Sequence, residues 1–451
     1  MTENGGERRL YDGMELTFLG TSSVMPTNTR NVPACALRIG GPAHRCESVI
    51  WLFDAGESTV HQLQKSHLRR GRVERIFITH LHGDHVFGLP SILCSLNASL
   101  PDSIAHLPRE SRRSARTASH AAVQQAVHVY GPPGLRAFVR TALGVGRART
   151  GVQLCLHEIF PPRREFLEQL QHANSDALLE PRHLHTLALD LNTKNNSLMT
   201  PQPLECELPG RDFRLGAQAP HAAADAITRQ SPLVIKVAED KFGTVYAAPI
   251  VHSVPTFGYV VVERPRPGKV RISHLKKCYG LRPGPFLRDI ARGEPVEHPH
   301  RKGLMLDPAE LMMPARPARK MVILGDTMDP SPLASAARNC QLLVHEATFG
   351  DEHAHRVELL RHSTARMAGM FARRIGVTGA LFLTHFSGRY EDRGANGVED
   401  LVRQAQDATA GCPFEVHAAE DLMSVNVPHP PGVATEKRTA EGTSAAQAIA
   451  A

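Results

Sequence analysis

The run His80-Leu81-His82-Gly83-Asp84-His85 follows directly on the short apolar segment RIFIT (75–79), and it constrains this chain more than any other stretch. A short, β-branched, apolar run of this kind reads as a buried strand. Residues two apart on an extended segment leave the same face, so His80 and His82 can point to one ligand. Asp84 and His85 sit at the turn into a helix expected from Val86 to about Leu96, and can point to a second. Imidazole and carboxylate are what zinc accepts where thiolates are absent. The eight cysteines contain no CxxC pair, so neither a cysteine zinc site nor a disulfide framework is indicated, and a reducing compartment fits. Two such polar residues would be ordinary in a solvated loop. Four behind a buried strand point to a centre in which two cations, about 3.5–4 Å apart, share one hydroxide.

Other ligand-type residues repeat this placement at strand ends. YAAPIV is followed by His252, MVILG by Asp326, LLVH by Glu346 and LFLT by His385. Core histidines would lie within strands. Residues at strand ends share an edge of a sheet, where loops on a rigid scaffold converge side chains on one site. Asp326 can bridge two cations with one carboxylate. With the first run, His252, Asp326 and His385 make seven ligands. His362 precedes a helix expected over Thr364–Arg374. A histidine oriented by a carboxylate such as Glu346 can protonate a leaving alkoxide near neutral pH, although Ser363 as a helix cap explains the same text.

Strands are expected at Met14–Phe18, Ala34–Ile39, Ser48–Phe53, Arg75–Thr79, Ala126–Tyr130, Thr244–Val251, Gly258–Val262, Met321–Leu324, Leu342–Val344 and Ala380–Thr384. Helices are expected at Ser58–Arg70 and, after a turn at Gly131-Pro132-Pro133-Gly134, to about Leu143. Residues 1–12 read as a flexible N-terminus, about 100–122 and 160–240 as insertions, and 426–451 as a disordered tail. The irregular text from about 150 to 240 is expected to hold surface strands and loops. No apolar run reaches the roughly 18–20 residues that span a bilayer, so no membrane partner is expected. The polar N-terminus carries Glu3 and Glu7, unlike a secretory or transit peptide. Fifty-two basic against 45 acidic residues give +7, a balance that permits a polyanionic partner.

Taken together, LGTSSVMPT with Arg30-Asn31, FDAGE (53–57), THLHGDH (79–85), HSVPTFGY (252–259), LGDT (324–327), HEATF (345–349), HST (362–364) and THFSGRY (384–390) resemble the metallo-β-lactamase superfamily. Within it they resemble ribonuclease Z, the ElaC-type zinc phosphodiesterases that process tRNA 3′ ends. Many superfamily members share HxHxDH; the HST, HEATF and HFSxRY runs are narrower. The resemblance implies an α/β chain with a four-layered αβ/βα sandwich over 13–425, inserted loops and a protruding basic arm. It implies two Zn2+ per chain: His80, His82 and His252 on one, Asp84, His85 and His385 on the other, and Asp326 bridging. Asp84 would also take the proton of the attacking water, and His362, assisted by Glu346, would protonate the leaving 3′ oxygen. It further implies precursor tRNA as substrate, a short-form homodimer, and a cytoplasmic or nuclear location with an organelle not excluded.

The same resemblance assigns the arm to about 263–320. There Arg264, Arg266, Lys269, Arg271, Lys276, Lys277, Arg282, Arg288 and Arg292 face only Glu263 and Asp289 over 263–292. Such cations suit phosphate contacts, and a solvated charged loop is the plain alternative. Asp289 departs from the family, which usually carries Lys there. The ligand set alone also fits a zinc hydrolase of small phosphodiesters, and the basic segment is what separates the two.

Overall fold

The computed structural model describes residues 11–41, 47–96, 126–163, 201–215, 225–265, 268–391 and 397–430. The first insertion (about 100–122), Arg266, residues 1–10 and most of the expected tail lie outside them, as do 164–200 and 216–224 of the second insertion. The chain divides into a large unit, Met1–Arg264 with Lys320–Pro428, and a small one built on Pro265–Arg319.

In the large unit the chain first lays down β1 (Met14–Gly20), β2 (Ala34–Ile39), β3 (Val49–Phe53), β4 (Val73–Phe77), β5 (Ala126–Gly131), β6 (Gln153–Phe160), β7 (Glu207–Leu208) and β8 (Asp212–Arg214). There follow β9 (Ile235–Glu239), β10 (Gly243–Ile250) and β11 (Thr256–Glu263). The small unit contributes β12 (Val296–Glu297) and β13 (Met305–Leu306). The large unit resumes with β14 (Lys320–Ile323), β15 (Leu342–Glu346), β16 (Ala380–Thr384), β17 (Glu415–Ala418) and β18 (Ser424–Asn426). One sheet has the order β18-β1-β2-β3-β4-β5-β6-β7 with β8 also on β6, and the other the order β17-β16-β15-β14-β11-β10-β9.

Three apolar clusters define the layers. Phe18, Trp51, Phe53 and Phe77 of the first sheet meet Phe257, Tyr259, Val261 and Phe382 of the second between the sheets. Leu63, Ile92, Leu93, Val139 and Leu143 cover the outer face of the first sheet with helices. Ala368, Phe371, Ala372, Leu401 and Ala405 cover that of the second. The result is the expected αβ/βα sandwich. Across β3 to β6, in register, Phe53, Phe77, Tyr130 and His157 stack ring on ring, with successive centroids 5.1, 4.9 and 4.4 Å apart.

Strand direction places the ligand loops together. β14, β15 and β16 are parallel. β10 and β14 both run antiparallel to β11 between them, so they share a direction. The loops after β10, β14, β15 and β16 therefore leave one edge of the second sheet. In the first sheet, parallel β3 and β4 also end together. The sheets are tied beside these ends, where Phe257 N–H donates to Thr79 O (2.9 Å) and Tyr259 Oη–H to Ile78 O (2.7 Å).

Several expectations need correction. Leu154 to Ile159 of β6 are all buried, so this is a core strand and not a surface one. Its polar residues are satisfied: Glu158 accepts from the Gly134 and Arg136 N–H groups and from the Arg136 guanidinium. The helix expected from Val86 is two pieces, Gly83–Val86 and Leu89–Ser95. Gly88 lies between them, where a Cβ would meet Gly56 O at 1.9 Å. Asn426 and Val427 are part of the folded sheet and not of a tail, because Asn426 pairs with Glu15 and the buried Val427 N–H donates to Met14 O. No helix among the described residues is long and apolar enough to cross a membrane.

The small unit has its own core of Leu275, Leu281, Ile290, Leu306 and Leu311, from the helices Ile272–Tyr279, Leu287–Ile290 and Pro308–Leu311 and the β12–β13 hairpin. Of the nine cations proposed for the arm, all but the undescribed Arg266 are exposed: Arg264, Lys269, Arg271, Lys276, Lys277, Arg282, Arg288 and Arg292. Arg264 belongs to the large unit. Asp289 lies 3.6 Å from Arg292 and offsets its charge locally.

Candidate metal centre

All seven expected ligands converge. His80, His82, His252 and Asp326 offer ligand atoms within 4.8 Å of one another, and so do Asp84, His85 and His385. Asp326 touches both groups: Oδ2 is 3.7 Å from His80 Nε2 and 3.9 Å from His252 Nε2, while Oδ1 is 3.3 Å from His85 Nε2. Its Oδ2 is also 3.2 Å from His385 Nε2. Asp84 Oδ2 stands 3.6 Å from His85 Nε2 and 3.5 Å from His385 Nε2.

The far side of each ring fixes which nitrogen faces inward. His85 Nδ1–H donates to Asp54 Oδ2 at 2.7 Å, and His252 Nδ1–H to the Arg361 carbonyl at 2.8 Å. Thr79 and Thr348 act as relays. Each hydroxyl donates to a carboxylate, Asp54 or Glu346, and so accepts from the Nδ1–H of His80 (3.0 Å) or His385 (2.7 Å). Four rings thus turn a bare Nε2 inward. His82 does the reverse, with Nδ1 facing His80 Nε2 at 3.1 Å and His252 Nε2 at 3.4 Å. Outer hydrogen bonds of this kind orient metal-binding imidazoles. The decisive observation is that the buried Nε2 atoms of His85 and His385 make no hydrogen bond. A buried polar atom without a partner is costly unless a ligand uses it, and a cation would use both. The donor set fits zinc.

The electrostatics agree. Burial pushes His80 well below its ordinary value, lowers His82, and takes His252 down to about 4. These rings are neutral at pH 7, as ligands must be. Burial also opposes charge on Asp84 and Asp326, yet both stay well below the carboxylate range. The charges of the nearby His385 and His85 hold them there. His85 differs: Asp326 and Asp54 outweigh its burial and raise it well above its ordinary value, so a cation binding there must displace its proton.

Beside the cluster, His362 Nδ1–H donates to Glu346 Oε1 at 3.1 Å, and Glu346 also accepts from Thr327 N–H at 2.7 Å. Burial works against His362's charge, but the Glu346 carboxylate outweighs it and raises the ring to about 9. Asp326, His362 and His385 also lie within coordinating reach of one another. The helix cap proved to be Thr364, whose Oγ1 accepts from Met367 N–H, and not Ser363.

Sequence reasoning missed the groups that orient the candidate ligands: Asp54, Thr79, Thr348, the Arg361 carbonyl and the Val24 N–H, which donates to Asp84 Oδ2 at 2.9 Å. Asp54 follows the apolar strand VIWLF directly, the same signal that marks the ligands. Four non-glycine residues here, Val24, Asp54, Arg361 and His385, have φ of 65°, 60°, 60° and 59°. Left-handed backbone at such positions costs energy, and it gathers where function over-determines the geometry.

Comparison with known proteins gives the following. The family profile of the Anti-Pycsar protein Apyc1 matches residues 14–100. Zinc phosphodiesterase ELAC protein 1 of Bos taurus is 30% identical over 428 residues, covering 92% of this chain and 99% of that protein. Ribonuclease Z of Parasynechococcus marenigrum (strain WH8102) is 31% identical over 414 residues, covering 92% and 98%. The crystal structure of human tRNase Z, short form (ELAC1), superposes with a TM-score of 0.52 at 25% identity, covering 92% of this chain and 100% of that one.

Proposed function

The chain belongs to the ribonuclease Z (ELAC zinc phosphodiesterase) family, and we propose on that premise that it is an endoribonuclease removing the 3′ trailer from precursor tRNA. The cut leaves a 3′ hydroxyl on the tRNA and a 5′ phosphate on the trailer. The observation that carries this reading is the His362–Glu346 pair beside the seven-ligand cluster. A site that only stored metal would have no use for a proton donor.

In this reading His80, His82 and His252 would hold one zinc ion, Asp84, His85 and His385 would hold a second, and Asp326 would be available to both. Zinc bound there lowers the pKa of water and offsets charge on the scissile phosphate. Asp84 is anionic at working pH and oriented by the Val24 N–H, and it accepts the proton of the attacking water. As the water oxygen bonds to phosphorus, the bond from phosphorus to the 3′ oxygen breaks. His362 passes its proton to that oxygen, and Glu346 keeps the ring charged and aimed until then.

The small unit Pro265–Arg319 grips the tRNA body through phosphates, which gives salt-dependent affinity and little sequence reading. Structured RNA is recognised mainly by shape and by its single-stranded ends. The working form is a homodimer, and tRNA processing places it in the cytoplasm or nucleus. The test is cleavage of a precursor tRNA bearing a 3′ trailer, with and without chelator. Turnover of a small chromogenic diester with no cut in the precursor would favour the small-diester hydrolase instead. Sedimentation of the purified chain at monomer mass would remove the dimer.

A further inference from the structure

Phe87 is a large apolar side chain left 64% exposed next to the metal cluster. It closes the short helix Gly83–Val86. Helical side chains lean back toward the N-terminus, and this ring lies over Gly83, where a Cβ would come within 2.5 Å of its Cε2. Gly83 separates the ligands His82 and Asp84, so its lack of a side chain is what lets the ring rest beside them. One side of the ring is backed by Phe138, with centroids 6.2 Å apart and planes 18° apart. Phe138 comes from the helix Leu135–Val145, so the backing is rigid.

A second apolar group is fixed to the same aspartate. Val24 and Met25 are each 68% exposed, in a loop tied to its neighbours. Val24 N–H is bonded to Asp84, Ser23 N–H donates to Phe386 O at 2.9 Å, and Ser22 Oγ–H donates to Met25 O at 2.7 Å. Exposed apolar side chains held rigidly at a phosphodiester-cleaving centre suit a flat apolar ligand. The substrate offers one in the unpaired bases at its cut end. Every base has a π-face, so stacking holds the strand without reading its sequence. Met25 adds an adaptable edge.

We infer that Phe87, backed by Phe138, is the platform on which an unpaired nucleobase flanking the scissile phosphate stacks. The inference rests on the endoribonuclease reading and adds to it a residue that positions the strand. The test compares the parent chain with Phe87→Ala, Phe87→Trp and Phe87→Leu on a precursor tRNA with a 3′ trailer. Two further precursors carry a single abasic residue on one or the other side of the cut. Phe87→Ala lowers kcat/KM on the intact precursor by about tenfold, within the range of one base–aromatic stack. Trp restores the rate and Leu does not. On one abasic precursor the parent chain falls to the level of Phe87→Ala, and the difference between them disappears. Three results overturn the platform: full activity of Phe87→Ala, a deficit that persists undiminished on both abasic precursors, or sedimentation of Phe87→Ala at a different mass from the parent, which would make the ring a contact between copies. If the parent chain hydrolyses a small diester but leaves every precursor uncut, the endoribonuclease reading fails instead.

Discussion

The His362 imidazole is paired with the Glu346 carboxylate at 3.1 Å, Nδ1 to Oε1, and Glu346 is almost wholly buried. The carboxylate lifts the ring from 6.5 to about 9 against the opposing effect of burial. The folded protein therefore holds this proton more tightly than the unfolded chain does. The stabilisation is complete below pH 6.5 and is lost as pH rises toward 9 in the metal-free protein. Glu346→Gln should bring the His362 titration down, as read by NMR of the ring, and slow cleavage by roughly 10²- to 10⁴-fold. An unmoved titration would show that Glu346 does not tune the ring.

His362→Ala should slow cleavage with metal content unchanged, because the ring points its Nδ1–H at Glu346. Elemental analysis separates the roles. Loss of metal in this variant would make His362 a ligand, a role that its position near Asp326 and His385 also permits geometrically.

Asp326 and Asp84 should respond differently to removal. Asp326 lies within 4 Å of His80, His85, His252 and His385. Asp326→Ala removes the one carboxylate common to both groups and leaves His85 facing a gap. We expect loss of all bound metal and destabilisation of about 3–5 kcal/mol, the usual cost of stranding one member of a buried charge pair. Asp84→Ala should abolish cleavage while retaining the cation held by His80, His82 and His252, and should leave tRNA binding nearly intact. Metal stoichiometry, thermal melts and a gel-shift titration together check both variants.

The clustering of the candidate ligands was legible in the sequence because each is a histidine or aspartate placed just beyond an apolar strand, and strand ends share an edge. The groups that orient them were not. The Arg361 carbonyl and the Val24 N–H are backbone atoms that any residue could supply, so no residue type advertises them. Thr79 and Thr348 read as ordinary strand and turn residues until their hydroxyls are seen between an imidazole and a carboxylate. The strand β6 was hidden because His157 and Glu158 interrupt its apolar run. Their polarity is satisfied: His157 Nδ1 accepts from the Arg211 N–H and its Nε2 pairs with His128 Nδ1, while Glu158 accepts from the N-terminal amides of the helix Leu135–Val145 and from the Arg136 guanidinium.

Val24 holds a β-branched side chain at φ 65° so that its N–H can reach Asp84. Glycine adopts that backbone without steric cost. Val24→Gly should therefore raise stability by about 1 kcal/mol, the low end of the usual strain penalty, and keep the hydrogen bond. Val24→Pro fixes φ near −65° and removes the donor, so cleavage should fall with it. A higher melting temperature for the glycine variant, together with a lower cleavage rate for the proline variant, is the expected pair of results. A glycine variant that melts lower than the parent would contradict the strain argument.

The basic unit should be measurable through salt. Lys276 and Lys277 are exposed, in the last turn of the helix Ile272–Tyr279. A lysine that neutralises a phosphate releases a counterion, so each lost contact should reduce the slope of log affinity against log salt by about 0.7–0.9. Replacing both lysines with Ala should weaken precursor binding at low salt and flatten that slope by up to twice this amount. The effect should be the same for precursors of different sequence, because phosphate contacts position the RNA without reading it. Since both side chains are solvated, the folded state should lose little stability. Parallel slopes for the parent and the double variant would mean that this face of Pro265–Arg319 does not meet the RNA, and would return its charge to the plain reading of a solvated surface.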